Sequence, residues 1–309
     1  MYNPAMKDRL IRKVALRTVR GSALLFLLTI WTGCTHQAAL HTRPAIGTAH
    51  AALHGGFSDQ QKALAAKNCL DGMPQKTEEL GPTEYVFRQG YVLEHSSVDK
   101  IPLWVCEGVD AAQLQGNLAR SNKFITDPAL KGPKSTPTDY TRSGYDRGHQ
   151  APAGNQNQDQ KLKDETFYMS NMAPQLPKLN RNAWKALEDK SRDWVTHFGH
   201  AYELTGPVFH DPKEDSADTA DGTIQVKTIG KDAVAVPTDF YKIIVVEDGG
   251  EVKAIAFVLP NKSFSPPYHL EKYIVSIKWI EQHTGLDFMP DLPAAQRQQL
   301  KNTASAMWP

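Results

Sequence analysis

The segment GYDRGHQAPAGN, residues 144–155, places an acid, a base and a histidine among turn-forming residues. Asp146, Arg147 and His149 fall within four positions of a stretch that has neither helical nor strand periodicity. A histidine in a loop is usually just solvated, yet its ordinary pKa of about 6.5 also suits a general base at neutral pH. Arg147 has the shape to hold a phosphate with two parallel hydrogen bonds. Spacing alone leaves these interpretations open.

The sequence on both sides of this segment predicts strands and helices. Upstream, YVFRQGYVLEH (85–95) contains two β-rich runs about a Gln-Gly turn, and IPLWVCEG (101–108) has the composition of a further strand. Downstream, two long apolar runs meet at a hairpin signal, Asp248-Gly249-Gly250. LEKYIVSIKWIEQHTG (270–285) then shows the pattern of an amphipathic helix. This order of elements predicts one α+β domain over residues 66–290.

The clearest helix prediction, residues 180–199, follows the turn-rich stretch 126–166, which is too long for a plain connector and is typical of functional loops. Its apolar residues recur at helical spacing, and Gly199 provides a stop. Four residues at four-residue spacing fall on one side of this helix: Asn180, Trp184, Glu188 and Arg192. Besides the tryptophan, they offer an amide, a carboxylate and a guanidinium. A divalent metal or a phosphate would explain these polar groups. The alternative is an ordinary surface pair of Glu188 and Arg192.

Charge and cysteine content narrow the class of protein. The 309 residues hold 35 Lys and Arg against 34 Asp and Glu, yet residues 120–192 alone carry a net charge of +5. Chance clustering on a solvated surface is the alternative to a patch for an anionic partner. Cys69 and Cys106 predict either a disulfide or two buried thiols. No CxxC pair or Cys/His zinc spacing occurs, so a structural zinc module is not predicted.

The amino terminus predicts an export signal. A basic run precedes an apolar stretch of about a dozen residues, which is too short to span a bilayer comfortably. Small residues before Cys34 resemble a bacterial lipoprotein processing site, although Trp31 stands where an aliphatic residue is usual. We therefore predict a signal at 1–34 with Cys34 as a lipidation site, and a protein that is periplasmic, lipid-anchored to a membrane or secreted; an uncleaved signal anchor is the alternative. Residues 35–65 are predicted to be a flexible tether and 291–309 a C-terminal tail.

Three motifs together resemble one protein family. DRGH, NMAPQ and LNRNAWKALE follow one another in the order and at the spacing of the DNA/RNA non-specific endonucleases with a ββα-metal site. The sequence is most similar in appearance to endonuclease G and to secreted bacterial sugar-non-specific nucleases, and the likeness covers most of residues 80–290. The resemblance implies an α+β fold with a central, largely antiparallel sheet flanked by helices and a ββα-metal active-site motif.

The family's site residues carry over to this sequence by position. His149 matches the general base, and Asn180 matches the single side chain that binds the metal, which is Mg²⁺ with Mn²⁺ as a substitute. Glu188 matches the acid that orients water around the ion. The remaining matches are an asparagine that shapes the site, Asn171, and two arginines beside the scissile phosphate, Arg147 and Arg192. The family's upstream arginine aligns with Asn122, and Arg120, two residues earlier, is the candidate for its role.

The resemblance implies Mg²⁺-dependent hydrolysis of phosphodiester bonds in single- and double-stranded DNA and RNA. Little sequence preference is expected because the groups act on phosphate. Family members are often dimers, so a homodimer is expected. One alternative is a catalytically idle nucleic-acid-binding surface lipoprotein on the same fold, which would lack His149, Asn180 or Glu188. Another is a metal-dependent phosphodiesterase on small substrates, and the +5 charge of residues 120–192 argues against it.

Overall fold

Runs of β-branched and aromatic residues form the strands of a mixed helix and strand fold. A computed structural model describes residues 41–43, 56–211 and 224–309. The strands are β1 (His41–Arg43), β2 (Gln75–Lys76), β3 (Thr83–Phe87), β4 (Val92–Ser96), β5 (Pro102–Asp110), β6 (Asp146–His149), β7 (Met172–Gln175), β8 (His200–Val208), β9 (Ile224–Val226), β10 (Thr228–Ile229), β11 (Val234–Ala235), β12 (Asp239–Asp248), β13 (Glu251–Pro260), β14 (Ile274–Val275) and β15 (Leu286–Asp287). The helices are α1 (Asp59–Asn68), α2 (Ala111–Leu114), α3 (Gln160–Glu165), a π-helical turn (Leu179–Trp184), α4 (Lys185–Phe198), α5 (Ile277–Thr284) and α6 (Ala294–Asn302).

The central sheet has seven strands in the order β14-β13-β12-β8-β5-β4-β3, and every neighbouring pair is antiparallel. Both predicted hairpins belong to it, because β3 pairs with β4 and β12 pairs with β13. Gly249 and Gly250 close the second hairpin with φ angles of 61° and 85°, a conformation that glycine adopts without strain. The predicted α+β fold with a central, largely antiparallel sheet flanked by helices is confirmed.

Helices cover both faces of the central sheet, so its middle strands are buried on both sides. Along β12, Phe240 and Ile244 pack in one apolar cluster with residues of α4, whereas Tyr241 and Ile243 pack in a second cluster with residues of α5. The run FYKIIVV contains one charged residue, Lys242, which shares the α4 side by strand alternation and has no exposed surface. The sheet therefore buries a charge on the side that carries α4.

A separate two-stranded sheet carries the DRGH segment. DRGH forms β6, which pairs with β7 so that His149 lies opposite Met172. A side chain at Gly148 would displace the buried side chain of Gln175, because a Cβ there would overlap it. After β7 the chain enters the π-helical turn and α4. The order strand, strand, helix is the ββα motif that the resemblance implies.

The amphipathic pattern of residues 270–285 forms a shorter helix than predicted. Its first residues form a 3-10 turn, and β14 then pairs with β13 at the edge of the central sheet. α5 begins only after Ser276, whose hydroxyl accepts a hydrogen bond from the backbone N–H of Trp279 at 3.1 Å. Strand pairing and this cap together divide the predicted helix.

The described fold extends beyond residues 66–290 in both directions. α1 begins within the segment predicted as a tether, and α6 lies within the predicted tail. The end of the chain packs on α4, where the rings of Trp308 and Trp194 are 5.3 Å apart. Cys69, which follows α1, forms a disulfide with Cys106 of β5, and their Cα atoms are 5.4 Å apart.

The predicted signal at 1–34, its Cys34 and most of the predicted tether lie outside the described residues. Within the described part of the chain, no helix has the length and apolar character needed to cross a membrane.

Candidate active site

Residues of β6, the π-helical turn and α4 line a cleft of about 520 Å³. Six of the seven residues predicted for the catalytic and metal site line it, namely Arg120, Arg147, His149, Asn180, Glu188 and Arg192. The seventh, Asn171, does not. The remaining lining residues are Phe124, Tyr145, Asp146, Pro152, Ala153, Gly154, Arg181 and Lys185. The loop and the helix, which are far apart in sequence, thus build one site.

His149 ends β6 and is packed between aromatic rings. Its ring centroid lies 4.8 Å from that of Phe167 and 5.8 Å from that of Phe124, both in edge-to-face contact. The residue is 7% exposed, and its Nε2 is buried with no hydrogen-bond partner among the described residues. Burial lowers the pKa of His149 to about 3, and the positive charge of Arg120 adds to this effect. The imidazole is therefore neutral at pH 7.

Asn180 is held by a carboxylate from the DRGH strand. Its Nδ2 donates to Oδ2 of Asp146 at 3.0 Å. Arg181 binds the same carboxylate through Nε at 2.8 Å and through Nη2 at 2.6 Å. Because Asp146 can only accept hydrogen bonds when ionised, it fixes the amide nitrogen of Asn180 on its own side. The amide oxygen of Asn180 is left available in the cleft.

The π-helical turn changes the predicted stripe of polar residues. Four-residue spacing from Asn180 to Arg192 assumed a regular α-helix, but Leu179–Trp184 forms hydrogen bonds of the wider π type. Trp184 turns into the core, where its ring lies 5.7 Å from that of Phe240, and it is 1% exposed. The other three members line the cleft. The stripe is thus interrupted at Trp184.

Glu188 lies one turn into α4 and is partly buried. Burial raises the pKa of Glu188 to about 7, although the positive charges of Lys242 and Arg192 act in the opposite direction. Glu203 raises this pKa further. The carboxyl therefore holds its proton more readily than an exposed glutamate does, and its charged form would gain from a nearby cation.

Arginines supply positive charge to the cleft. Arg147 donates to the carbonyl oxygen of Pro137 at 2.9 Å, and its guanidinium lies 4.9 Å from the ring centre of Phe124. Arg192 donates to Oδ1 of Asp189 at 2.5 Å. The exposed Arg120 lies with its guanidinium 5.4 Å from the ring centre of Phe167. These packed cations suit an anionic ligand such as a phosphate.

Asn171 lies behind the cleft and holds the loop that follows His149. Its Oδ1 accepts from the backbone N–H of Ala151 at 2.9 Å. Its Nδ2 donates to the carbonyl oxygens of Ala151 and Thr166, both at 2.9 Å. The side chain is fully buried, and these backbone contacts occupy it. Asn171 is therefore placed to shape the site and does not face its contents.

Sequence reasoning missed three of the residues that build the cleft. Asp146 was noted in the DRGH segment but was given no role, and Arg181 directly follows Asn180 without standing out. Tyr145 lines the cleft, and Nζ of Lys227 donates to its hydroxyl at 3.2 Å. The available signal was the position of Tyr145 and Asp146 in the two places directly before Arg147.

The cleft offers oxygen ligands that fit a hydrated divalent cation. Among the described residues, no group of three His, Cys, Asp or Glu side chains is placed to hold a metal ion. Mg²⁺ does not need such a group, because it keeps several water ligands and binds through one or two protein oxygens. Asn180 provides an oriented amide oxygen, and Glu188 provides a carboxylate in the same cleft. These two residues would hold the ion and its water.

Comparisons with known proteins agree with the motifs. A family model described as DNA/RNA non-specific endonuclease matches residues 72–295. Endonuclease G, mitochondrial, from Homo sapiens is 40% identical over 212 residues, which cover 67% of this chain and 70% of the relative. The protein of the same name from Bos taurus is 39% identical over 219 residues, which cover 69% and 72%. A solved endonuclease G structure, from the EndoG/EndoGI complex, has a TM-score of 0.68 at 33% identity and covers 78% of this chain and 96% of that chain.

These relatives correct the prediction of cellular location. Both are named as mitochondrial nucleases. The prediction of an exported protein that is periplasmic, lipid-anchored through Cys34 or secreted is therefore wrong. A basic run followed by a short apolar stretch was interpreted as an export signal, and composition of this kind does not distinguish one targeting segment from another.

Proposed function

The chain belongs to the family of DNA/RNA non-specific endonucleases, which are metal-dependent nucleases, and on that premise we propose that it hydrolyses phosphodiester bonds with Mg²⁺ and with His149 as general base. The observation that supports this most is that His149, Asn180 and Glu188, which lie on different elements, line one cleft. The imidazole of His149 is unprotonated at pH 7, which is the state that a general base needs, while its lowered pKa makes it a weaker proton acceptor than an exposed histidine.

Each residue has a separate task in this proposal. Because Nε2 of His149 is buried, Nδ1 is the ring nitrogen that takes a proton from the attacking water. Asn180 would ligate the metal through its oriented amide oxygen, and Glu188 would orient the water around it. A bound Mg²⁺ would supply positive charge that stabilises the phosphate oxygens as negative charge develops.

The arginines of the cleft explain the expected lack of sequence preference. Arg147 and Arg192 offer guanidinium groups that bind phosphate, which all nucleotides share. Arg120 lies in the same cleft and is the candidate for the family's upstream arginine. We expect cleavage of single- and double-stranded DNA and RNA. The number of basic side chains lining the cleft favours a polyanion over the small substrates of a phosphodiesterase.

Three further properties rest on relatives alone. We propose a mitochondrial location, because the endonuclease G proteins of Homo sapiens and Bos taurus carry that name. The homodimer implied by the resemblance and a protein inhibitor as partner are also proposals; the second rests on the solved EndoG/EndoGI complex. Light scattering of the purified chain measures the oligomeric state directly.

The experiment that tests the proposed function uses the purified full chain with plasmid DNA and with RNA. We expect both to be degraded with Mg²⁺ and to remain intact with EDTA. Mn²⁺ should replace Mg²⁺. Retained binding without cleavage would indicate the idle nucleic-acid-binding alternative, and cleavage confined to small phosphodiesters would indicate the other.

A further inference from the structure

Ionisable side chains are buried between the central sheet and α4. Glu107 on β5, Glu203 on β8 and Lys242 on β12 are each at most 1% exposed. Glu107 and Glu203 are opposite one another in neighbouring strands. Nζ of Lys242 donates to Oε2 of Glu203 at 2.6 Å, and Ser191 of α4 also donates to Glu203. This buried pair is fully bonded, so it is a fixed part of the core.

Glu107 differs from Glu203 because no cation binds it. Its Oε1 accepts from Nδ2 of Asn155 at 3.0 Å, and its Oε2 has no hydrogen-bond partner among the described residues. Burial and the neighbouring charge of Glu203 raise the pKa of Glu107 well above its usual range. The one hydrogen bond that Glu107 makes among the described residues therefore joins it to Asn155 in the loop that lines the cleft.

Asn155 is the last residue of the segment GYDRGHQAPAGN and connects Glu107 to the cleft. It is 1% exposed and belongs to the 3-10 turn Ala153–Asn155. Its Nδ2 is engaged by Glu107, and its Oδ1 accepts from Nη1 of Arg192 at 3.4 Å. The backbone comes close as well, since a Cβ on Gly154 would lie 3.1 Å from the same Nη1.

We propose that Asn155 is a positioning residue for Arg192 and that Glu107 sets the orientation in which it acts. An amide presents an oxygen at one end and N–H groups at the other. Because its amide nitrogen donates to Glu107, the amide oxygen of Asn155 faces the guanidinium of Arg192. In the reversed orientation, N–H groups would face the positively charged guanidinium, which is unfavourable. The relay Glu107–Asn155–Arg192 fixes where the guanidinium meets a phosphate, and it rests on the proposed function for the role of Arg192.

The relay is tested by the affinity for a DNA oligonucleotide in EDTA, where no cleavage occurs. Asn155→Ala is expected to weaken binding about tenfold, since a hydrogen bond to a charged group is lost. In an Arg192→Ala background the same change should have little effect, because the residue it positions is absent. Asn157→Ala is the matched control: this asparagine anchors the same loop through the carbonyl oxygens of Leu114 and Gly154 but does not contact Arg192.

The anchor is tested by two substitutions of Glu107. Glu107→Gln keeps a neutral acceptor for Asn155 and should bind DNA like the wild type, whereas Glu107→Leu removes the acceptor and should behave like Asn155→Ala. Circular dichroism will show whether Asn155→Ala folds. If it does not, the two Glu107 variants test the relay in its place. Nitrogen-15 NMR of the Arg192 guanidinium gives a readout independent of nuclease activity: rotation of the Nη1 group should be faster in Asn155→Ala than in the wild type, while Asp189 still holds Nη2 in both.

Failure of the relay and failure of the proposed function give different results. If the wild type cleaves DNA and Asn155→Ala binds it as tightly as the wild type, the relay is overturned. Equal losses for Asn155→Ala and Asn157→Ala would also overturn it, because loosening of the loop would then explain both. If the wild type does not cleave DNA or RNA with Mg²⁺, the proposed function fails, while the guanidinium NMR still decides the relay.

Discussion

At the scale of single residues, the cleft holds two titratable groups away from their ordinary charge states. Burial lowers the pKa of His149 to about 3 and raises that of Glu188 to about 7. Both changes disfavour the charged form of the side chain. The histidine is consequently a free base at neutral pH. A charged Glu188 costs folding free energy unless a cation compensates it.

Glu188→Gln is expected to stabilise the metal-free protein above pH 7 while removing most nuclease activity. Between the ordinary pKa of 4.5 and about 7, the folded state binds more protons than the unfolded state, so Glu188 lowers stability as pH rises through this range. The difference between these pKa values corresponds to at most about 3 to 4 kcal/mol. Urea unfolding in EDTA should show a gain of this order at pH 8 and none at pH 4. Equal stabilities at pH 8 would contradict the raised pKa, and the exposed Glu251→Gln is the control.

Asp146→Asn is expected to weaken Mg²⁺ binding about 10- to 100-fold, the usual effect of losing a group that orients a metal ligand. A neutral amide at this position can donate as well as accept, so it no longer fixes the nitrogen of Asn180. Arg181 also loses its ion pair. Calorimetric titration with Mg²⁺ alone measures the affinity, with Asp248→Asn in the β12–β13 hairpin as control. An unchanged affinity would show that Asp146 does not orient the ligand.

At the scale of elements, periodicity and turn chemistry predicted two hairpins of the central sheet, whereas of the three elements that line the cleft they predicted only α4. The hairpins and α4 were predicted because their patterns are long and their glycine stops are unambiguous. The π-helical turn was not, since one extra residue in a turn leaves composition and spacing almost unchanged. The contact of Asp146 with Asn180 joins residues 34 positions apart, and no local pattern records it. β14 was missed because two strand residues were hidden in a helical pattern.

Asn171→Ala tests the element that follows His149. Three hydrogen bonds to the backbone at Ala151 and Thr166 would be lost, which should cost about 3 kcal/mol of unfolding free energy. Nuclease activity should fall because the loop behind His149 loosens. Mg²⁺ affinity should stay near the wild-type value, since Asn180 lies on another element. Urea unfolding measures the stability, and Mg²⁺ calorimetry measures the affinity. If Asn171→Ala lost as much Mg²⁺ affinity as Asp146→Asn, Asn171 would affect the metal site as well as the loop. The exposed Asn302→Ala is the control.

At the scale of the whole molecule, an antiparallel sheet with helices on both faces supports the cleft through a polar layer in its core. Lys242 and Glu203 form an ion pair with less than 2% exposure of either side chain. In the sequence, the only sign of this ion pair is a lysine inside the apolar run FYKIIVV. Its partner Glu203 lies 39 positions earlier, so no local pattern joins the two. Removing one member of a buried ion pair leaves the other charge without compensation. We therefore expect a larger loss of unfolding free energy when one residue is substituted than when both are replaced by apolar residues.

Lys242→Met is expected to lower the unfolding free energy by about 3 to 5 kcal/mol, because it leaves Glu203 charged and buried. Adding Glu203→Leu should recover much of this loss, since neither charge then remains. Denaturant unfolding of the single and double variants forms the measurement. A double variant no more stable than Lys242→Met would mean that the pair is not the source of the loss. Lys253→Met, at an exposed surface pair, is the control.

The most direct test of His149 as the general base is chemical rescue. His149 lies between Phe124 and Phe167, so His149→Ala leaves a space that free imidazole can enter. We expect plasmid cleavage with Mg²⁺ to fall at least about 100-fold in this variant. The rate should recover in proportion to the concentration of neutral imidazole, and the wild type should not respond. Cleavage by His149→Ala at the wild-type rate without imidazole would contradict the account.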